Sequence, residues 1–397
     1  MKIGMAMKVK QAHGAPICST DLGGVPGRSP AGAGAGASNN EVAESIRNMW
    51  IIEDAELGEL YDMRGIYALR LLREIISGFE KLEKEAHELP ILPVEWENRD
   101  RLPGAICNLL NLQTLNLNGC RSLQKLPKGI GKLIKLRHLE ILWTASLTYL
   151  PKGIACLTSL RTLSRFIGNS LVGSKACNIA DLEKLNNIQG NITIDGLGAE
   201  TDASEAERAG LENKNGLHGL ELWFTAPGAG TNDERVLGAL KAPSELKDLG
   251  IFYYRGELFP AWMITLQKLT HLTLADCDKC SVVPRLGELT SLESLKIMNM
   301  PSIKRVMDSE FLGAGSTDAF PKLEKISFEN LSNWEEWVGL ADDCDQANFM
   351  PMLSSLSIVN CRKLMAIPDC IKLKKNEKPW FHINIKKCPS LDQSQYE

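Results

Sequence analysis

The 397-residue chain has no long apolar run, no excess of one charge and no paired zinc-type cysteine motifs, and each lack removes a class of protein. No window approaches the roughly 18 apolar residues of a membrane-spanning helix. The opening MKIGMAMKVKQAHG lacks the unbroken apolar stretch of a secretory signal. With 45 basic and 49 acidic residues, a net charge of −4 and no basic run interleaved with aromatics, nucleic acid is not an expected partner. Eleven cysteines make an odd count, and the single CxxC, Cys277 to Cys280, has no second half-site. Free thiols in a reducing cytoplasm are the simpler expectation. No GxSxG elbow or HExxH helix occurs. No GxxxxGK[ST] occurs either: Gly129-Ile130-Gly131-Lys132 runs into Leu133 where a magnesium-holding hydroxyl would be needed. Neither a catalytic residue, a metal site nor a cofactor is expected.

What is present is a period. Residues 1–40 form a low-complexity lead, ending in SPAGAGAGASNN, which buries nothing and is read as disordered. Residues 41–65 have helix-compatible spacing and read as a short helical or degenerate capping segment. From residue 66 the pattern LxxLxL recurs, starting at 66, 89, 112, 136, 160, 189, 217, 246, 269, 292, 323, 353 and 380. Of its 39 key places 37 are apolar, against about 17 expected from a 44% hydrophobic composition; the exceptions are Gln189 and Arg165. Intervals of 23 to 31 residues with this pattern are the signature of leucine-rich repeats. The domain is therefore expected over 66–392, in about 13 units, with 393–397 as a tail.

Strand geometry turns the pattern into an architecture. Alternate residues of a strand face opposite sides, so the fourth and sixth places point into the core and the third and fifth point outward. Leu115 with Leu117, Leu139 with Ile141, Leu272 with Leu274, and Leu295 with Ile297 are such inward pairs. One repeat cannot bury this face alone, whereas stacked neighbours bury a continuous core. The expected fold is an α/β leucine-rich-repeat solenoid, a horseshoe with a concave parallel β-sheet and an irregular or short-helical convex side. The ninth place holds Cys120, Cys277, Cys361 and Cys388, small side chains suited to bonding the turn backbone of a neighbouring coil. Pro90 and Pro93 in the unit at 89 remove backbone donors and predict a frayed edge there.

Several segments, in order, resemble the C-terminal repeats of plant intracellular nucleotide-binding, leucine-rich-repeat disease-resistance proteins. RLPGAICNLLNLQTLNLNGCRSLQKLPKGIGKLIKLRHLEI (101–141) is similar to the family's first well-formed repeats, and TLSRFIGNS (162–170) to the break that follows them. NIQGNITIDGLG, DASEAERAGLENKNGLHGLELWF, VLGALKAPSELKDLGIFYYRGELFPAWM and FPKLEKISFENLSNWEEW complete the series over roughly 85–392. The resemblance implies a cytoplasmic, non-catalytic defence protein that binds a pathogen effector or a guarded host protein. It also implies repeats that hold a nucleotide-binding domain closed in a full-length receptor. This chain shows no such domain, and is expected to be a fragment or a truncated gene product. The alternative, a substrate-recognition adaptor of a ubiquitin ligase, requires an N-terminal helical docking module for which 41–65 is too short. A secreted receptor, in which Asn191-Ile192-Thr193 and Asn330-Leu331-Ser332 would be glycosylation sequons, conflicts with the missing signal.

Candidate partner-binding residues follow from the outward places. Asn116, His138, Glu140, Glu221, His271, Lys296 and Lys325 should lie on the concave face, with charges of both signs that suit a shaped protein epitope rather than a polyanion. Five repeats at about 4.8 Å separate His138 from His271 by roughly 24 Å, too far to share a metal. Trp223 and Phe224 follow one strand, and Phe252, Tyr253 and Tyr254 the next, so adjacent repeats should set these aromatics side by side. Trp334 and Trp337 are expected to pack against the repeat flank.

Overall fold

The computed structural model describes the backbone of Ile91–Pro93 and residues 100–392, apart from 169–174, 199–200, 226–231, 307–308, 313–318, 338–349, 369–370, 372–373 and 375–377. The expectations for 1–40, 41–65, the unit at 66 and the tail at 393–397 lie outside the described residues.

Among the described residues the strands pair in parallel, and an isolated antiparallel bridge joins Pro151 to Ala176. A first sheet takes β1 (Ile91–Pro93), β2 (Thr114–Asn116), β3 (His138–Glu140) and β4 (Thr162–Leu163) in chain order. A second sheet begins with β5 (Arg165–Ile167), β6 (Gly190–Asp195), β7 (Leu217–Trp223), β8 (Asp248–Phe252), β9 (His271–Ala275) and β10 (Ser294–Met298). After β11 (Arg305–Val306) it continues through β12 (Lys325–Glu329), and after β13 (Glu336–Trp337) through β14 (Ser355–Val359) and β15 (His382–Lys386). β11 and β13 pair only with each other, away from the main sheet.

The inward places form columns. Leu220, Leu249, Leu272, Leu295, Ile326, Leu356 and Ile383 are successive partners across the ladder, as are Leu222, Ile251, Leu274, Ile297, Phe328, Ile358 and Ile385. All but the last of each column are fully buried. Each fully buried aliphatic side chain contributes about 1.5–3 kcal/mol, so the columns are the main source of stability. Pro93 falls in β1, which among the described residues ends its sheet, where a missing N–H costs least.

Between columns the chain returns through short 3-10 turns. Three of them, Gly104–Asn108, Lys128–Lys132 and Lys152–Cys156, each follow a proline, whose fixed φ sets the entry to the turn. The GIGK segment belongs to the second of these turns. A Cβ on Gly131 would lie 2.8 Å from the Gly153 carbonyl oxygen, so these glycines let consecutive coils touch backbone to backbone.

Sheet continuity breaks at Arg165, and the structure gives the reason. Leu163 pairs with Leu139 and continues the fourth-place column, while Phe166 pairs with Ile194 and takes the sixth place. Two residues, Ser164 and Arg165, therefore stand where other coils have one, a β-bulge that turns Arg165 outward. The Ser164 hydroxyl accepts the Ile141 N–H at 2.7 Å, replacing the ladder carbonyl the bulge displaces. Two other pattern places are corrected in the same way. Ile188, not Gln189, is the buried anchor of its coil, and Phe381 is 5% exposed while the pattern residue Trp380 is 59% exposed.

A further regularity lies at the eighth place, where the strand ends. Gly119, Trp143, Gly196, Tyr253, Asp276, Asn299, Asn330, Asn360 and Lys387 all have φ between 52° and 81°. Asn and Asp tolerate this left-handed conformation better than most residues. Here they also bond one another. Asn299 donates to Asp276 at 2.8 Å, Asn330 to Asn299 at 2.6 Å and Asn360 to Asn330 at 2.7 Å, an amide ladder along the sheet edge.

Candidate protein-recognition face

The outward row of the parallel sheet carries most of the residues expected there. Asn116, Glu221, His271 and Lys325 are exposed, while His138, Glu140 and Lys296 are half-buried. His138 shares a 2.8 Å hydrogen bond with Thr162 on the next strand, and Lys296 Nζ lies 3.7 Å from the Glu329 carboxylate. His271 Nδ1 is 2.9 Å from Asp248 Oδ1 and 2.9 Å from Thr270 Oγ1. Both contacts use one ring nitrogen, so the ring cannot relay a proton between that hydroxyl and that carboxylate. Among the described residues, no group of three or more His, Cys, Asp or Glu side chains could hold a metal ion.

The aromatics divide. Trp223 and Phe252 are directly paired across β7 and β8, and their rings stack at 4.3 Å with planes 18° apart. Tyr253 is 43% exposed, tilted 5.8 Å from Trp223. Phe224 and Tyr254, by contrast, are 1% and 0% exposed and meet edge to face at 5.3 Å inside the core. The expectation that they sit on the face is corrected. The left-handed turn at Tyr253 rotates the following side chain inward, and the Tyr254 hydroxyl donates to the Leu258 carbonyl. Burial pushes that phenol well above its usual range.

The flat arrangement of Trp223 and Phe252 has a local cause. Position 250 is an outward fifth place occupied by glycine, and a Cβ there would lie 2.6 Å from Phe252 Cε2. The Phe252 ring thus lies back over the sheet where a side chain would otherwise stand. Glu221 completes the cluster: its Oε2 accepts from Trp223 Nε1 at 3.1 Å and from Thr193 Oγ1 at 3.1 Å.

Beside it lies a polar network that the pattern did not indicate. Arg165 donates to the Thr144 carbonyl at 3.1 Å and pairs with Asp195, which also accepts from the Gly196 N–H at 2.7 Å and from Thr225. Arg165, breaking the apolar pattern of the 160 unit, was its sign in the sequence. The asparagines recurring at the eighth place were a legible sign of the amide ladder.

The ninth-place thiols lie in the core. Cys277, Cys361 and Cys388 are fully buried, each with Sγ within 3.3–4.0 Å of carbonyls on its own and the preceding strand. Cys280 donates to the Gly256 carbonyl at 3.1 Å, and its hydrogen bond with Cys277, reinforced by burial, holds the thiol far above its ordinary range. A thiol so raised is a poor nucleophile, whereas the hydrogen bond with Cys361 pulls Cys388 down to about 7. Trp334 and Trp337 are buried on the flank against Phe328, at 4.9 and 5.6 Å.

Comparison with known proteins follows the same lines. Residues 179–300 match the family described as R13L1/DRL21 LRRs. The chain is 36% identical over 334 residues to an Arabidopsis thaliana protein described as a disease resistance protein, covering 81% of this chain and 23% of that one. It is 29% identical over 241 residues to RPP13-like protein 1 of Arabidopsis thaliana, covering 55% of this chain and 22% of the relative. Over 210 residues it is 29% identical to the disease resistance protein RGA2 of Solanum bulbocastanum, covering 50% and 21%. The chain thus spans between a fifth and a quarter of the length of these relatives. Among solved structures, a Leptospira interrogans leucine-rich-repeat protein is 20% identical with a TM-score of 0.35, covering 80% of this chain and 94% of that chain.

Proposed function

We propose that this chain, whose repeats are of the leucine-rich kind found in plant disease-resistance proteins of the nucleotide-binding type, is a recognition surface for another protein, either a pathogen effector or a host protein that effectors act on. The observation that carries the reading is the outward row of the parallel sheet, a nine-strand face on which exposed Tyr253 stands beside the half-buried, stacked Trp223 and Phe252. Trp and Tyr dominate the energetics of protein interfaces, and a rigid sheet presents them without an ordering cost. We read the face as acting by binding rather than by catalysis: His138 and His271, each bonded to a threonine hydroxyl, sit on separate strands and share no site. Among the described residues no helix is long and apolar enough to cross a membrane, and the reading places the chain in the cytoplasm.

In a longer receptor the same repeats would also contact a nucleotide-binding domain, and ligand would shift that equilibrium through its differential affinity for the two states. The test is made in a plant with a cognate defence response. Glu221→Lys combined with Lys296→Glu, which leaves the buried columns intact, abolishes the response while the protein accumulates normally. An unchanged response overturns the proposal.

A further inference from the structure

The geometry points to a cation-binding platform on this face: the stacked rings of Trp223 and Phe252, with the Glu221 carboxylate beside them, receive an arginine or lysine side chain of the partner. The inference rests on the protein-recognition reading and narrows it to a partner with a basic segment.

Aromatic faces carry the negative part of the ring quadrupole and attract a cation, most strongly at tryptophan. The Trp223 N–H donates to Glu221, which adds electron density to the indole and strengthens that attraction. Phe252 lies back over Gly250 and Trp223 stacks against it, so each ring covers one face of the other while both stay partly exposed beside Glu221. A partly exposed indole beside a carboxylate suits a planar guanidinium, which stacks on an aromatic face while its N–H groups reach that carboxylate.

Charge decides between occupants. Two outward charges of this stretch are already neutralised, Arg165 by Asp195 and Lys296 by Glu329, whereas Asp248 has only the His271 ring nitrogen at 2.9 Å and adds to the negative charge near the rings. Glu221 is exposed, takes neutral donors on Oε2 only, and has no ion pair with Lys or Arg among the described residues. An acidic segment would meet it with like charge, and an apolar one would bury it without compensation. A basic side chain alone satisfies both the rings and the carboxylate.

The test uses the full chain and a five-residue alanine peptide, capped at both ends, with a central arginine. Its counterpart carries citrulline, which has nearly the same shape without the charge. Binding is followed by the NMR shift of the Trp223 indole N–H, assigned by its loss in Trp223→Phe. The arginine peptide binds at least fivefold more tightly than the citrulline peptide. Glu221→Gln and Phe252→Leu, each checked for an unchanged unfolding midpoint, weaken arginine binding at least fivefold. Equal affinity for the two peptides, or arginine affinity within twofold of the parent in folded Glu221→Gln, overturns the platform. Should either variant fail to fold, the comparison of peptides on the parent chain decides. Lost defence responses in the face variants together with absent arginine selectivity would sink the platform alone. Arginine-selective binding with an unchanged defence response would sink the recognition reading and leave the platform standing.

Discussion

The ring of Phe252 occupies the space that a side chain at Gly250 would need, with 2.6 Å between the position of a Cβ there and Phe252 Cε2. No atom can sit at that distance, so any larger residue at 250 must lift the ring. Gly250→Val should unstack Trp223 from Phe252 while leaving the buried Leu249 and Ile251 in place. Near-ultraviolet circular dichroism would lose the part of its tryptophan signal that the Trp223 stack contributes, with the far-ultraviolet spectrum unchanged. Retention of the near-ultraviolet signal would show that the ring is not held there.

Arg165 offers a test of the bulge. Were it an inward sixth-place residue, as the repeat pattern alone suggests, Arg165→Leu would fill the core and stabilise the chain. Turned outward and paired with an Asp195 whose side chain is 17% exposed, it should do the opposite. Removing one partner of a largely buried pair leaves an uncompensated charge, here costing about 1–3 kcal/mol. Asp195→Asn in the same chain should recover part of the loss, giving a non-additive double-mutant cycle in urea unfolding.

The amide ladder is tested at Asn330, which has φ of 57°, donates to Asn299 and accepts from Asn360. Asn330→Val places a β-branched residue in the left-handed region and removes both side-chain bonds, for a loss of about 2–4 kcal/mol. Asn330→Gly removes the bonds but relieves the backbone, so its loss should be about 1 kcal/mol. Equal losses would mean that the conformation carries no cost.

Lys214 ties pH to stability. It is buried, and its ammonium donates to the carbonyls of Leu182 at 2.9 Å and Leu185 at 3.2 Å and to the Asn186 side chain at 3.2 Å, capping the preceding coil. Burial lowers its pKa from 10.5 to about 8, against a smaller opposing pull from Glu183. Between these values the unfolded chain holds a proton that the folded chain has released, so stability rises with pH across the window and is flat below it. The urea midpoint should increase from pH 8 to 10 relative to Lys214→Met, which lacks the titrating group, by the equivalent of about 1–2 kcal/mol. Parallel pH profiles for the two proteins would contradict the assignment.

The leucine columns were readable because their cause is local. Strand alternation forces the fourth and sixth places to one side whatever the rest of the molecule does, and Leu272 with Leu274 or Leu295 with Ile297 obey it without exception. The outward places were readable for the same reason, which is why Glu221, His271 and Lys325 are found where the pattern puts them. Past the seventh place that alternation ends. Tyr254 could not be told from Tyr253, because the left-handed φ of Tyr253 decides which of them turns inward, whereas Phe224 continues the alternation of its own strand one place further. Gln189 and Trp380 failed as anchors because Ile188 and Phe381, one residue away, fit the core better than a polar or bulky side chain.

Period, parallel topology and the identity of most core residues were thus determined by the order of amino acids alone, since burying a one-sided strand demands stacked copies of it. Tertiary structure decided the direction of Arg165, the stack made by Trp223 and Phe252, and the unpaired charge of Glu221. Each of these depends on side chains supplied by coils 20 to 30 residues away, and such contacts exist only once the coils have stacked.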